Sequence, residues 1–338
     1  RALSRTVFAY FRWLRWLDQR TPPQARIAEA VALQERFDAN PAAIKPQALV
    51  ARAVPDWVRE EMEVSPDHAR QLQREPALWL RARPGTGAQL AARLGNCAPS
   101  SLSPDALRYN GQEDLFRTAD FHQGTFEIQD LASQMVGLAC APRPGETWWD
   151  ACAGEGGKTL HLCDLMGNKG VVWATDRHER RLAVLRRRAS RAQLFNLRAA
   201  LWDGSARPPT GTRFDGILVD APCSGVGTWQ RNPQARWTSS PDDVRELAAT
   251  QLALLNHVAG SLRPGGRLVY AVCTLTRSET TGVAAAFSAA HPELHPEPVG
   301  TPVTAGVTPP PAANNGLTLW PHELDANGMF IAAWKRDQ

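Results

Sequence analysis

From Gly145 onward one unit recurs: a short apolar run, an acidic or thiol side chain at or near its end, a loop, then usually a stretch of helical periodicity. The runs lie at 147–151, 171–175, 197–201, 217–220 and 267–272. They close on or beside Asp150, Asp176, Asp203, Asp220 and Cys273. Helical stretches follow the first run up to 165, the second at 179–192, the fourth at 242–262 and the fifth at 278–290. Alternation of strand and helix predicts an α/β fold with a doubly wound, parallel sheet, and it sets the strand-end residues on one rim of that sheet. The segment 316–336 is expected to add two antiparallel strands, the last at 328–334. The Pro-, Thr- and Ala-rich stretch 300–315 reads as a surface loop.

The first 140 residues have another character. Residues 1–65 carry helical spacing, with Phe8, Phe11, Leu14 and Leu17 on one stripe, a break at Thr21-Pro22-Pro23, and a further helix over 53–62. Residues 66–140 read as a small α+β domain. It has a strand at 78–83, a helix at 87–94, short strands near 106–109 and 115–118, and an amphipathic helix over 126–138 starting near Gln129-Asp130. The expected division is 1–65, 66–140 and 141–338.

Composition narrows the class. With 43% hydrophobic and 21% charged residues among 338, the chain is a globular protein rather than a disordered one. No apolar run reaches the length of a spanning helix, and charges break the N-terminal stretch where a signal peptide would need an apolar core. The chain opens on Arg1 rather than Met, so we expect its natural start upstream. Six cysteines stand at 97, 140, 152, 163, 223 and 273 with no CxxC pair, so neither a metal site nor a disulfide framework is expected. Reduced thiols and a cytoplasmic monomer follow as expectations. The net charge of +4 permits a polyanionic partner, and the positive charge is almost all Arg, with Lys only at 45, 158, 169 and 335.

The loop after the first run reads Asp150-Ala-Cys-Ala-Gly-Glu-Gly-Gly-Lys-Thr159. Its glycines let a ligand approach the backbone at a helix N-terminus, yet it matches neither GxxxxGK[ST] nor GxGxxG. Asp176 ends the second run, where a carboxylate can take two ribose hydroxyls, and Asp203 stands where an adenine edge would lie. This pattern suits a nucleoside cofactor without a pyrophosphate, S-adenosylmethionine. The fourth run reads Ile217-Leu218-Val219-Asp220 and is stopped by Pro222, with Cys223 next and Gly225 and Gly227 turning the backbone. With runs one, four and five as neighbours, Asp150, Asp220 and Cys273 share a rim and Cys223 lies just beyond. Thiolate addition at C6 of a pyrimidine makes C5 nucleophilic, and expelling that thiolate later calls for a second acid–base group.

Five blocks in order carry a resemblance: FEIQDLASQMV, DACAGEGGKT, VDAPCSGVGTWQRNP, YAVCTLTRSE and PHELDANGMFIAAWKR. Together they resemble the RNA cytosine-C5 methyltransferases of the Sun/Fmu type, which are ribosomal RNA small subunit methyltransferase B-like. The resemblance implies a Rossmann-like class I methyltransferase sheet, a preceding RNA-recognition-like module and a remnant of an RNA-binding helical region. It implies that Cys273 is the nucleophile, that Cys223 assists product release, and that Asp220 holds the target base with Lys158 nearby. The cofactor would be held by Ala151, Cys152, Ala153, Gly154, Glu155, Gly156, Gly157, Lys158, Asp176, Arg181, Asp203 and Asp220. The substrate would be RNA, ribosomal RNA ahead of transfer RNA. This chain departs from the family pattern at Gly154-Glu155, usually Ala-Pro, at Val272 and Thr274, usually Thr and Ser, and at Thr280, usually Asn.

Other readings stay open at this level. DNA cytosine-C5 methyltransferases attack through a Pro-Cys thiol, which would make Cys223 the nucleophile. A methyltransferase fold disabled at Glu155 would act as an RNA-binding assembly factor. Arg81, Arg83, Arg108 and Arg117 are the expected phosphate contacts, and the seven Arg of 177–191 read as a solvated helix face.

Overall fold

The structure is a computed structural model and describes residues 2–299 and 316–338. The loop expected at 300–315 lies outside the described residues.

Two sheets organise the chain. The smaller is antiparallel and built from β1 (Leu78–Ala82), β2 (Cys97–Ser100), β3 (Ser103–Tyr109) and β4 (Phe126–Ile128), in the order β2-β3-β1-β4. The larger contains β5 (Thr147–Asp150), β6 (Val171–Asp176), β7 (Leu197–Leu201), β8 (Phe214–Asp220), β9 (Leu262–Val272), β10 (Leu294–Glu297), β11 (Gly316–Leu319) and β12 (Met329–Arg336). Its order is β10-β12-β9-β8-β5-β6-β7, with β11 paired to β12. Strands β5 to β9 run parallel, and the last three add antiparallel. The chain leaves β5 toward β6 and β7, then crosses back to place β8 on the other side. The topological switch therefore falls between β5 and β8, where a doubly wound sheet opens a crevice.

Both faces of the sheet are covered, and the period of two in β8 and β9 shows it. Leu218, Val269 and Ala271 belong to the core shared with the helices Leu131–Cys140 and Gly157–Leu165. Ile217, Val219, Leu268 and Tyr270 face the opposite core with Leu254, Leu255, Val258 and Phe287. Neighbouring side chains on one strand thus enter different cores, which is why the runs are apolar throughout.

Three local expectations change. Residues 115–118 are not a strand: Leu115–Arg117 is one 3-10 turn, capped by the Asp114 side chain accepting from the Phe116 N–H at 3.2 Å. The expected helix over 126–138 is two elements. Phe126–Ile128 pairs with β1, and the helix starts only at Leu131, where Asp130 accepts the Ala132 N–H at 3.0 Å. Of 53–62, only Val58–Glu61 is helical. Two strands fall where none was expected, β2 and β10, the latter carrying Pro296 on the sheet edge, where a missing N–H is tolerated.

The N-terminal helices Ala2–Trp13, Pro23–Ala39 and Pro46–Arg52 bury Trp13, Phe37 and Leu49 in a core that also takes Val226, Trp229 and Leu275. The loop after β8 is therefore walled by the chain's first helices. Fully buried Arg236 stitches them together, donating to the carbonyls of Ala53 (3.0 Å) and Leu72 (2.9 Å). The small sheet is tied to the large one by Arg81 and Arg83, which share the carboxylate of Asp164. Among the described residues no helix is long and apolar enough to cross a membrane.

Candidate active site

The parallel ladder places the reactive side chains. Asp150 pairs in register with Leu218, and Asp220 with Ala271, so β5, β8 and β9 end on one rim and Cys273 stands just past the end of β9. Two cavities open along this rim.

The first has a volume of about 450 Å³, within the range of roughly 300–1,000 Å³ usual for small-molecule sites. Every residue of the expected cofactor set lines it except Gly156. Gly156 is set back at φ +89°, where a Cβ would strike Leu160 and Leu185, so it turns the loop rather than forming the wall. Gly154 (φ +54°) and Gly157 do face the cavity, since a Cβ at either would meet nothing within 4 Å. Asp176 pins this loop to β6 by accepting from the N–H groups of Gly154 (3.1 Å) and His178 (2.8 Å). Its carboxylate and that of exposed Asp203 both line the space, with Trp202 and Leu254 as apolar wall. Acceptors for hydroxyl or ammonium groups, an apolar side and open backbone at a helix N-terminus together suit a nucleoside with an amino-acid tail. Glu155 is exposed and does not fill the cavity; its carbonyl accepts from Arg188 at 2.8 Å.

The second cavity, about 290 Å³, is bounded by Trp79, Asp130, Thr228, Arg231, Cys273 and Asn327. Lys158 and Ser133 line both cavities, so the two meet there. Lys158 Nζ donates to Asp220 Oδ2 at 2.6 Å. Burial works to lower the Lys158 pKa, but the charge and hydrogen bond of Asp220 outweigh it and hold the ammonium protonated. Asp150, beneath them, is 1% exposed; burial pushes its carboxyl up to about 7, opposed by the Thr159 hydroxyl at 2.6 Å.

Cys273 lines the second cavity, and its partner is Cys223. Cys223 Sγ and Cys273 Sγ are 3.3 Å apart, both half-buried. The Cys273 pKa is lowered, first by its hydrogen bond with Cys223 and further by Lys158, against burial and Asp220. Cys223 is raised by the same hydrogen bond, then by burial and by Glu279. In contrast, Cys140, Cys152 and Cys163 are raised chiefly by burial and behave as small apolar side chains. Cys273 is thus the more readily ionised sulfur of the pair.

Some expected contacts have other work. Arg81 is 2% exposed and paired with Asp164, and Arg83 shares that carboxylate, so neither faces a phosphate. They are internal struts, because β1 lies inside its sheet and presses on the helix that carries Asp164. Arg108 (paired with Asp325 at 2.8 Å) and Arg117 remain on the surface. The helix Glu179–Arg191 is only partly a solvated face: Arg188 and Arg191 bind Glu127 of β4. Sequence reasoning passed over Ser133, Trp79, Arg231 and Asn327 as site residues. It also gave no role to Glu279, whose signal was an acid set among Thr274, Thr276 and Ser278 just after a buried strand.

Comparison with known proteins gives a consistent picture. The family described as 16S rRNA methyltransferase RsmB/F matches residues 137–335. A probable ribosomal RNA small subunit methyltransferase B of Bacillus subtilis is 34% identical over 250 residues, covering 73% of this chain and 56% of that protein. The protein of the same description from Synechocystis is 33% identical over 300 residues, covering 83% and 66%. A crystal structure of a methyltransferase homolog protein from Pyrococcus horikoshii matches with a TM-score of 0.68 at 25% identity, covering 80% of this chain and 90% of that one. The chain spans about half to two thirds of the length of the curated relatives it matches.

Proposed function

The chain belongs to the 16S rRNA methyltransferase RsmB/F family, and from that premise we propose that it methylates C5 of a cytosine in RNA, ribosomal RNA first, through a covalent bond between Cys273 and C6. The observation that carries this reading is the pair of sulfurs 3.3 Å apart, with Cys273 on the wall of the second cavity. Methyl transfer to oxygen or nitrogen has no use for two paired thiols, whereas C5 chemistry uses both.

When bound, S-adenosylmethionine supplies an electrophilic methyl group, and the cavity beside Asp176 and the glycine loop holds it. The 290 Å³ cavity takes a base turned out of its stack. Asp220 holds that base, and Lys158 is fixed beside it. Cys273 adds through its sulfur to C6, and C5 gains the electron pair that takes the methyl group. C5 then loses its proton, the C6–S bond breaks and Cys273 leaves as thiolate. Cys223 serves this last step. Once Cys273 has bonded to carbon it no longer accepts the Cys223 proton, which passes to solvent, and Cys223 takes the C5 proton in its place. Residues 66–140 serve as the RNA-binding module and 1–65 as the remnant of an RNA-binding helical region, with 141–338 as the methyltransferase domain.

The test is a pair of variants assayed on RNA with labelled methyl donor. Cys273→Ala is expected to lower methyl transfer by at least about a thousandfold and to form no adduct. Cys223→Ala is expected to accumulate a covalent protein–RNA species. A trapped adduct in Cys273→Ala, with none in Cys223→Ala, reverses the assignment. Bisulfite mapping of RNA from a deletion strain then identifies the cytosine. The exposed charge of Glu155 on the cavity wall keeps one rival in view, a fold that binds RNA without methylating it. Calorimetry with S-adenosylmethionine separates the two, since that rival gives no binding heat.

A further inference from the structure

Behind the thiol pair lies a carboxylate that no step above uses. Glu279 is completely buried, and no cation pairs with it among the described residues. A buried anion without a counter-charge is costly unless hydrogen bonds hold it. Five donors do so here. Glu279 Oε1 accepts from the Ser224 N–H (2.8 Å) and Gln251 Nε2 (2.9 Å). Its Oε2 accepts from the hydroxyls of Ser224 (2.5 Å), Thr276 (2.7 Å) and Thr274 (3.2 Å). Tyr270 O–H donates to the Glu279 carbonyl at 2.6 Å, and Gln251 also reaches the Pro222 carbonyl at 2.9 Å.

The placement of these donors matters more than their number. Ser224 is the chain neighbour of Cys223, and Thr274 is the chain neighbour of Cys273. One carboxylate therefore grips both turns that carry a thiol. We propose that Glu279 is a positioning residue that assigns the two thiols their roles: it clamps the Cys223 turn to the Cys273 turn and, as a buried anion on the Cys223 side, keeps the pair's shared proton on Cys223. From the proposed function this takes only that Cys273 is the attacking thiol.

The other charged and titratable groups around the pair are few. Asp220 from the end of β8 and Lys158 from the helix Gly157–Leu165 act on Cys273 with opposite signs. Tyr270 of β9 is held as neutral phenol chiefly by burial, with Cys223 and Glu279 adding to the effect. Asp220 and Lys158 oppose one another at Cys273, and Glu279 is the fixed charge that acts on Cys223.

The experiment follows alkylation by iodoacetamide as a function of pH in the full chain, with peptide mass spectrometry reading Cys223 and Cys273 separately. The shape of each profile, unlike its height, does not depend on how accessible the sulfur is. In the unaltered protein the Cys273 midpoint is expected below the ordinary thiol value of about 8.5 and the Cys223 midpoint above it. In Glu279→Gln, which keeps the shape and removes the charge, the Cys223 midpoint is expected to fall by about one unit or more, so the preference for Cys273 at neutral pH drops about tenfold. In Glu279→Asp, which keeps the charge and shortens the reach, the order of the two midpoints persists. An unmoved Cys223 midpoint in folded Glu279→Gln overturns the proposal. So does a common midpoint for both sulfurs in the unaltered protein, a result that stands even if Glu279→Gln does not fold. No RNA or methyl donor enters the measurement, so its failure leaves the methyl-transfer reading intact, and a failed methyl-transfer assay leaves the labelling result intact.

Discussion

Two loops leave the same rim of the large sheet, and they are built in opposite ways. The loop after β5 (151–156) is mostly backbone. Gly154 opens onto space while Gly156 packs against Leu160 and Leu185, Glu155 is exposed, and the loop is held through its backbone, by Ala151 N–H on the Leu218 carbonyl, Ala153 N–H on the Thr175 carbonyl and Gly154 N–H on Asp176. The loop after β8 is held from every side. Ser224 is bound to Glu279, Gly227 N–H donates to the Cys273 carbonyl at 3.1 Å, and Gly328 N–H donates back to Gly227 at 2.7 Å. Trp229 is wholly buried among the N-terminal helices. A loop that receives a ligand needs empty volume and free N–H groups. A loop that presents a reacting sulfur needs its side chains fixed to fractions of an ångström.

That contrast can be broken at a single atom. At Gly227 an added Cβ would lie 2.2 Å from the Gly328 carbonyl oxygen, which is backbone and cannot swing away. Gly227→Ala is expected to move the Cys273 turn and lower kcat about a hundredfold with little change in cofactor affinity, a split read by steady-state kinetics and calorimetry. Gly154→Ala should do the reverse. Its Cβ meets nothing, so the cost is the positive φ alone, about 1–2 kcal/mol. The expected result is a lower melting temperature and a loss of S-adenosylmethionine affinity of less than about tenfold, with kcat nearly kept. Equal losses in both variants would erase the distinction between the loops.

A third expectation concerns Asp150 at the root of the first loop and is read in stability rather than turnover. Burial raises its pKa in the folded state to about 7, above the roughly 3.9 of an unfolded Asp. A raised carboxyl pKa contributes stability while the group is protonated, and that contribution fades as pH rises from about 4 through about 7. Asp150→Asn should therefore flatten the dependence of melting temperature on pH across that window, and gain most relative to the unaltered protein near pH 8. Parallel melting curves at every pH would show that Asp150 titrates normally and that the Thr159 hydrogen bond dominates.

Much of this arrangement was legible before folding, and particular residues show why. The ends of the runs at Asp176 and Asp220, and the helix at 87–94, depend on side-chain period and turn residues that act over a few positions. The stretch 126–138 misled because the strand spacing of Phe126 and Ile128 runs directly into the helical spacing of Leu131, Met135 and Leu138. Pairing with β1 and the cap of Asp130 decided between them. Arg81 and Arg83 misled because an arginine on an alternating strand looks the same in sequence whether it meets phosphate or Asp164.

By itself the sequence determined the alternation of strand and helix, the rim on which the acids and thiols stand, and the two cysteines that follow strand ends, since all of these follow from local periodicity and turn chemistry. The tertiary structure decided what those groups become. It brings two sulfurs separated by fifty positions to 3.3 Å. It buries Glu279 on one side of them and sets Lys158 on the other. Which thiol keeps the proton is a matter of distances between charges in a dry interior, and those distances exist only once the chain has folded.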